Sequence, residues 1–486
     1  MIALGLDEIV RAVGGRTRVP CGPVGVTGLS TDTRTLKPGE VFVALAGEHF
    51  DGHRFVAEAF AKGARAALVA GSAAKDADLA APHDGACILV DDTRAALGRL
   101  AAYHRGMLAA KVIAVTGSNG KTTTKGMIDH VLSTCLPGRA AHKSFNNEVG
   151  VPLTLLSAEP SDRYLVVEIG SNAPGEVAHL AAMAAPDIGV VTSIGHAHLE
   201  GFGGIDGVVR EKLSLLDYVV SGGLGLVNLD DLRAVDHGPF PSGLKTVTYG
   251  TAAEADVRVT ALECRLDGVS FRINDRYTVS LPAPGAHNAL NAAAAFAVAR
   301  RMQLEPEQIV EALATVRLPH LRLQVRRVGG LTLIEDCYNA NPTSMAAGIE
   351  VLRTADRDRP ESGSHQSGRR VLVAGEMKEL GLESDALHER IGVLAAQAGI
   401  ELVVCVGRGA APIAAGARSV NPTIDAHICE TTERACEEVP QLLADGDTVL
   451  VKGSRVLGLE RLSERIVDEM QQLLKRRRVD NDPPPT

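Results

Sequence analysis

Residues 112–124 read Val-Ile-Ala-Val-Thr-Gly-Ser-Asn-Gly-Lys-Thr-Thr-Thr. An apolar, β-rich run feeds Gly117-Ser-Asn-Gly120-Lys121-Thr122, and a helical pattern follows. Glycines let backbone N–H groups turn inward onto phosphate oxygens. A lysine after the second glycine can reach β- and γ-phosphates, and the next hydroxyl can ligate Mg²⁺. Ser118, Asn119 and Thr123 complete this candidate nucleotide loop. The usual GxxxxGK[ST] spacing would put its first glycine at Val115, so the loop is the shorter GxxGKT form of a subset of phosphate-loop enzymes.

Other polar groups follow other apolar runs. The run 164–167 ends in Glu168, a carboxylate able to hold a hard cation; alone it reads equally as a surface residue at a strand end. The run 188–192 leads to His196-Ala-His198, of which at most one is expected to face a metal. Zinc has no third soft ligand at a motif spacing, and the eight cysteines include no CxxC pair. Lys212 alone reads as a solvated helix lysine, His287-Asn288-Ala-Leu-Asn291 as a helix cap, and Ser30-Thr31-Asp32-Thr33-Arg34 as a polar loop. No Ser/His/Asp or Cys/His arrangement demands a covalent nucleophile.

Elements that could position these groups follow from the pattern. Doubly apolar runs at 112–115, 164–167, 188–192 and 224–227 alternate with helical stretches. That predicts a parallel sheet covered on both faces, with ligands at the carboxyl ends of its strands. Shorter alternating runs at 245–283 predict an antiparallel insertion. The expected fold is α/β with three domains: a small N-terminal unit, 1–85; a central phosphate-loop domain, 86–318; and a Rossmann-like C-terminal domain, 319–474, with strands near 331–335, 370–374, 402–406 and 447–452. Residues 71–86 read as a linker, 356–370 as a polar loop and 475–486 as a disordered tail.

Composition narrows the function. With 50 Lys+Arg against 59 Asp+Glu the chain carries −9, which argues against a nucleic-acid channel. The lack of Trp, with nine Phe and six Tyr in 486 residues, argues against base-stacking platforms. No apolar stretch is long enough for a membrane span, and the N-terminus carries no secretory leader. A cytoplasmic monomer with reduced thiols is expected.

Together these segments resemble the Mur ligases over residues 22–460. The resemblance rests on residues 116–122, Phe145-Asn-Asn-Glu-Val-Gly-Val-Pro-Leu-Thr-Leu-Leu156, Glu168-Ile-Gly-Ser-Asn172, His196-Ala-His-Leu-Glu-Gly-Phe-Gly203, His287-Asn-Ala-Leu-Asn291 and Asp336-Cys-Tyr-Asn-Ala-Asn-Pro342. The last run resembles most the branch that adds D-alanyl-D-alanine. The resemblance implies an ATP-dependent amide ligase joining that dipeptide to UDP-N-acetylmuramoyl-tripeptide through an acyl phosphate, with ATP and two Mg²⁺. Alternatives are a diaminopimelate- or lysine-adding ligase, a folylpolyglutamate synthase, or an inactive nucleotide-binding paralogue.

The resemblance also implies roles. Gly117, Gly120, Lys121 and Thr122 match the ATP and Mg²⁺ loop; Glu168 and His198 match metal and γ-phosphate positions. Lys212 matches a lysine carbamylated in the family to hold a second Mg²⁺, although Lys-Leu-Ser replaces the frequent Lys-Gly-Glu. Asn288 matches a residue near adenine. Arg322, preceded by Leu321 rather than glycine, matches an arginine facing the phosphates. Asp336, Tyr338, Asn339 and Asn341 match the segment that meets the nucleotide and substrate across a cleft, and Lys452 matches a position of unassigned role. Ser30, Thr31, Asp32 and Arg34 match the uridine-nucleotide grip, and Asn146 and Asn147 the segment holding the muramoyl peptide.

Overall fold

The structure is a computed structural model that describes residues 4–17, 25–47, 50–72, 85–231, 240–355 and 368–481, with backbone alone for 476–481. Three main sheets organise it, beside a two-stranded ribbon of Leu4–Gly5 and Gly25–Val26.

The first sheet runs in the order Arg16–Thr17, Ala86–Val90, Ala66–Ala70, Val41–Val43, Leu29–Ser30. All neighbours are parallel except the Arg16–Thr17 edge. Ala86–Val90 pairs in parallel with Ala66–Ala70, so the first unit extends past residue 85 and the linker reading fails at Ala86. Its alternating burial marks a strand with one face on the core, a signal that the polar segment before it obscures. The rest of that segment, 73–84, lies outside the described residues.

The central sheet has nine strands: Tyr277–Leu281, Gly268–Ile273, Val257–Arg265, Lys245–Gly250, Leu224–Asn228, Ile188–Val191, Lys111–Thr116, Tyr164–Glu168 and Gly138–Ala140, in that spatial order. Strands buried on both faces explain their continuous apolar runs; Leu165, Val166 and Val167 expose nothing. The expected antiparallel insertion at 245–283 is a continuation of this sheet. Lys245–Gly250 pairs in parallel with Leu224–Asn228 and, at its end, with Val257–Arg265, and only the last three strands are antiparallel to one another. They join because Val259, Phe271 and Val279 bury their side chains in one core with the Ala-rich helix Ala286–Arg301. The strand order sets Lys111–Thr116 between Ile188–Val191 and Tyr164–Glu168, which gathers the polar strand ends at one edge.

The third sheet orders Gln324–Val328, Leu331–Glu335, Thr448–Lys452, Arg370–Gly375, Leu402–Val406 and Asp425–Cys429, parallel but for its first hairpin. The helix that closes it, Glu460–Asn481, runs past Leu474 through the basic run expected to be disordered. Lys and Arg are good helix formers, and no Gly or Pro interrupts 475–481. Residues 482–486, and 356–367 of the expected polar loop, lie outside the described residues.

Candidate active site

Strand Lys111–Thr116 hands the chain to Gly117 at φ 140°, where a Cβ would lie 2.2 Å from Thr192 Oγ1. A side chain has no room there, so the loop can hug the neighbouring strand end. Gly120, at φ 83°, precedes helix Lys121–Ser133, whose first N–H groups lack partners within the helix and suit an anion. Lys121 folds back over the loop, donating to the carbonyls of Gly117 (2.6 Å) and Ser118 (3.3 Å). Burial pulls its ammonium down to about 8; Glu168 opposes that fall and Arg322 adds to it.

Glu168 stands at the end of the adjacent strand and is 1% exposed. Its Oε1 accepts from the Thr122 hydroxyl (3.1 Å) and the Asn146 amide (3.0 Å), while Lys125 pairs with Oε2 at 3.1 Å. Two cis oxygen ligands of Mg²⁺, each at about 2.0–2.1 Å, sit about 2.9 Å apart. Thr122 and Glu168 therefore fit as two hard donors to one ion, leaving the other positions for water and phosphate oxygens. Among the described residues no group of three or more His, Cys, Asp or Glu is placed to hold a metal.

Lys212 is 1% exposed, not solvated as its helix position suggested. Its Nζ donates to Ser171 Oγ at 2.6 Å and lies 5.4 Å from the centre of the Phe202 ring. Burial first, then Lys121, pulls it down to about 7, against the pull of Glu211 and Glu176. Burial of that kind favours the neutral amine. His198 adopts φ 54° and sets Nδ1 against the Glu379 carboxylate. Burial lowers its pKa, with Glu379 opposing.

The third sheet supplies the facing wall. Asn341 donates to Asn119 Oδ1 (2.8 Å), and the Tyr338 hydroxyl donates to Ser144 Oγ (2.7 Å). Arg322 and Arg455 lie over the Tyr338 ring at 4.4 and 5.9 Å. Lys452 is buried, paired with Asp336 Oδ2 (2.6 Å) and donating to Asn339 O (3.1 Å), so it fixes the turn that carries Tyr338. A cleft of about 980 Å³ lies between the walls, lined by Ser118, Asn119, Gly120, Lys121, Thr122, Asn146, Asn147, Glu168, His198, Arg322, Tyr338, Asn339 and Asn341 among others. A smaller cavity of about 160 Å³ adjoins it, lined by Thr123, Asn288, Arg322 and Asp336 with His287, Asn291 and Lys452. Asn288 is not the helix cap; that position is Gly285, and the Asn288 amide donates instead to Pro284 O (2.7 Å).

Residues 25–105, 115–299 and 321–455 match, in turn, models of the Mur ligase family catalytic domain, the Mur ligase middle domain and the Mur ligase glutamate ligase domain. The chain belongs to the Mur ligase family. It is 33% identical over 446 residues to the UDP-N-acetylmuramoyl-tripeptide–D-alanyl-D-alanine ligase of Bacillus subtilis, covering 91% of this chain and 93% of that one. The Escherichia coli ligase of the same name is 33% identical over 467 residues, covering 95% and 97%. Among solved structures, MurF from Acinetobacter baumannii superposes with a TM-score of 0.83 at 30% identity, covering 96% of this chain and 99% of that one. MurF ligase from Thermotoga maritima in complex with ADP gives 0.77 at 26%, covering 92% and 98%.

Not every expected residue lines the cleft. Lys212 reaches it only through Ser171, and Gly117 acts through its backbone. Asn147 lines the cleft but turns its Oδ1 to the N–H groups of Val149 and Gly150, just ahead of helix Gly150–Ser157. Ser30, Thr31, Asp32 and Arg34 form a separate turn on the first sheet. There Ser30 Oγ bonds the Asp32 backbone and Arg34 clasps the Asp32 carboxylate, holding it down at about 2. Lys125, Ser144, Glu379 and Arg455 were not found from sequence. Lys125 could have been: it sits one helical turn past Lys121.

Proposed function

We propose that this chain joins D-alanyl-D-alanine to the terminal carboxylate of UDP-N-acetylmuramoyl-tripeptide, converting ATP to ADP and phosphate. The observation that carries the reading is the Asn119–Asn341 contact, which sets the phosphate loop and the Tyr338–Asn341 turn on one cleft. Such a cleft holds a nucleotide against one wall and leaves the other for an acceptor. The names of the relatives support the choice of substrates.

The chemistry needs an activated acid, because a carboxylate does not acylate an amine in water. Transfer of the γ-phosphoryl to the peptide carboxylate gives an acyl phosphate; the dipeptide amine then attacks the acyl carbon and phosphate leaves. Phosphoryl transfer relies on positioning and charge neutralisation. Lys121 would neutralise the transferring phosphoryl, and the loop amides would orient it. His198, steadied by Glu379, would face the γ-phosphate. Asn288 and Asp336 would line the base and ribose pocket, Arg322 would face the phosphates, and Asn146 would orient the peptide. Thr122 and Glu168 would hold Mg²⁺, and Lys212, as a carbamate, would serve a second ion; when bound these ions supply positive charge to the phosphate oxygens. Ser30, Thr31, Asp32 and Arg34 would grip the uridine nucleotide. The reaction consumes ATP, so the compartment we infer is the cytoplasm.

The direct test offers the chain UDP-muramoyl-tripeptide, ATP and a choice of D-Ala-D-Ala, diaminopimelate, lysine or glutamate, and weighs the product. Growth of the nucleotide by the dipeptide alone is expected. Addition of a single amino acid in preference would move the chain to a sister activity.

A further inference from the structure

Lys125 plays no part in the chemistry above, yet it is 5% exposed and touches the centre of the site. Its Nζ donates to Ala141 O (3.0 Å) and Lys143 O and pairs with Glu168 Oε2 at 3.1 Å. Glu168 is thereby divided: Oε1 turns to Thr122 and Asn146, Oε2 to Lys125. Lys121 and Glu168 also attract each other electrostatically. Asp129, one turn further on, gives its carboxylate to the Tyr164 hydroxyl at 2.9 Å. The single charge of Glu168 is thus matched by Lys125 in direct contact and further offset by Lys121. A bare divalent ion meets net repulsion there, whereas the phosphates of a nucleotide reverse the sign.

We propose that Lys125 is a positioning residue that turns Glu168 Oε1 toward Thr122 and, by balancing the carboxylate charge, keeps the divalent-ion site from filling before the nucleotide arrives. The inference rests on Thr122 and Glu168 being the Mg²⁺ pair.

Manganese(II) takes the same oxygen donors and reports its own binding by electron paramagnetic resonance. It would be titrated into the full chain with and without an unreactive imido analogue of ATP. Lys125→Gln keeps a donor for the two carbonyls and removes the charge; Lys125→Met removes both; Lys125→Arg keeps the charge. Without nucleotide, the Gln and Met variants should bind manganese about tenfold more tightly than wild type, and the Arg variant like wild type. Adding Glu168→Gln should erase the gain. The Gln arm decides if the Met variant does not fold. Unchanged manganese affinity in the neutral variants, or a gain that survives Glu168→Gln, overturns the proposal. Failure of wild type to bind the analogue with manganese would instead overturn the ATP-dependent reading.

Discussion

Asn341 donates its side-chain amide to Asn119 Oδ1 at 2.8 Å, tying the turn after strand Leu331–Glu335 to the phosphate loop. The same asparagine caps helix Pro342–Thr354, accepting from Ser344 N at 2.9 Å. One side chain therefore starts a helix in the third domain and reaches the nucleotide loop of the second.

The two roles separate by substitution. Asn341→Ala loses both and should cost about 1 kcal/mol of stability together with activity. Asn341→Asp keeps the cap but has no amide to donate, so it should unfold like wild type in denaturant while kcat/KM falls. Equal kinetics for Asp and wild type would show that the contact with Asn119 does no positioning.

Tyr338 and Ser144 make a second crossing at 2.7 Å. Tyr338→Phe keeps the ring beneath Arg322 and removes only the hydroxyl, so its effect should be several-fold on kcat/KM and smaller than that of Tyr338→Ala. In a double-mutant cycle with Ser144→Ala the coupling should be about 0.5–1.5 kcal/mol. Strict additivity would mean that the two walls do not cooperate through this bond.

Lys212 gives a pH prediction with a definite sign. Its ordinary value is 10.5 and burial brings it to about 7. Below pH 7 folded and unfolded chains both hold the proton, and burying the charge costs stability. As pH climbs from 7 toward 10.5 the folded chain sheds the proton first, so the unfolded chain binds more protons and stability rises. Lys212→Met removes this contribution. In CO₂-free buffer its stability advantage over wild type should be largest below pH 7 and shrink toward pH 10, as read by urea denaturation. With ¹³C-bicarbonate, wild type should show a carbamate carbon by NMR that the Met variant lacks; its absence from wild type would remove the second ion's proposed ligand.

Lys121→Met should abolish turnover with the fold intact, checked by circular dichroism beside the assay. The hydrogen bonds of its ammonium go to carbonyls of its own loop, so no bond to another element is lost. Retained turnover would contradict its role at the phosphates.

The central strands were legible because burial on both faces writes them as unbroken apolar runs, each ending in a glycine or polar turn. Ala86–Val90 was not, since a polar segment precedes it and its partner lies twenty residues back. The alternation at 257–281 showed antiparallel strands but not the sheet edge they extend; that depends on their packing beneath the Ala-rich helix. Loop residues such as Lys121 and Thr122 announce themselves by spacing. The partner of buried Lys212, Ser171, lies far back in the chain, and Glu379 acquires meaning only when the third sheet brings it to His198.

The most direct test of the proposed ligase is steady-state phosphate release from ATP with UDP-muramoyl-tripeptide, with and without D-Ala-D-Ala. Sustained release that requires the dipeptide is predicted; release unchanged by its omission would contradict it.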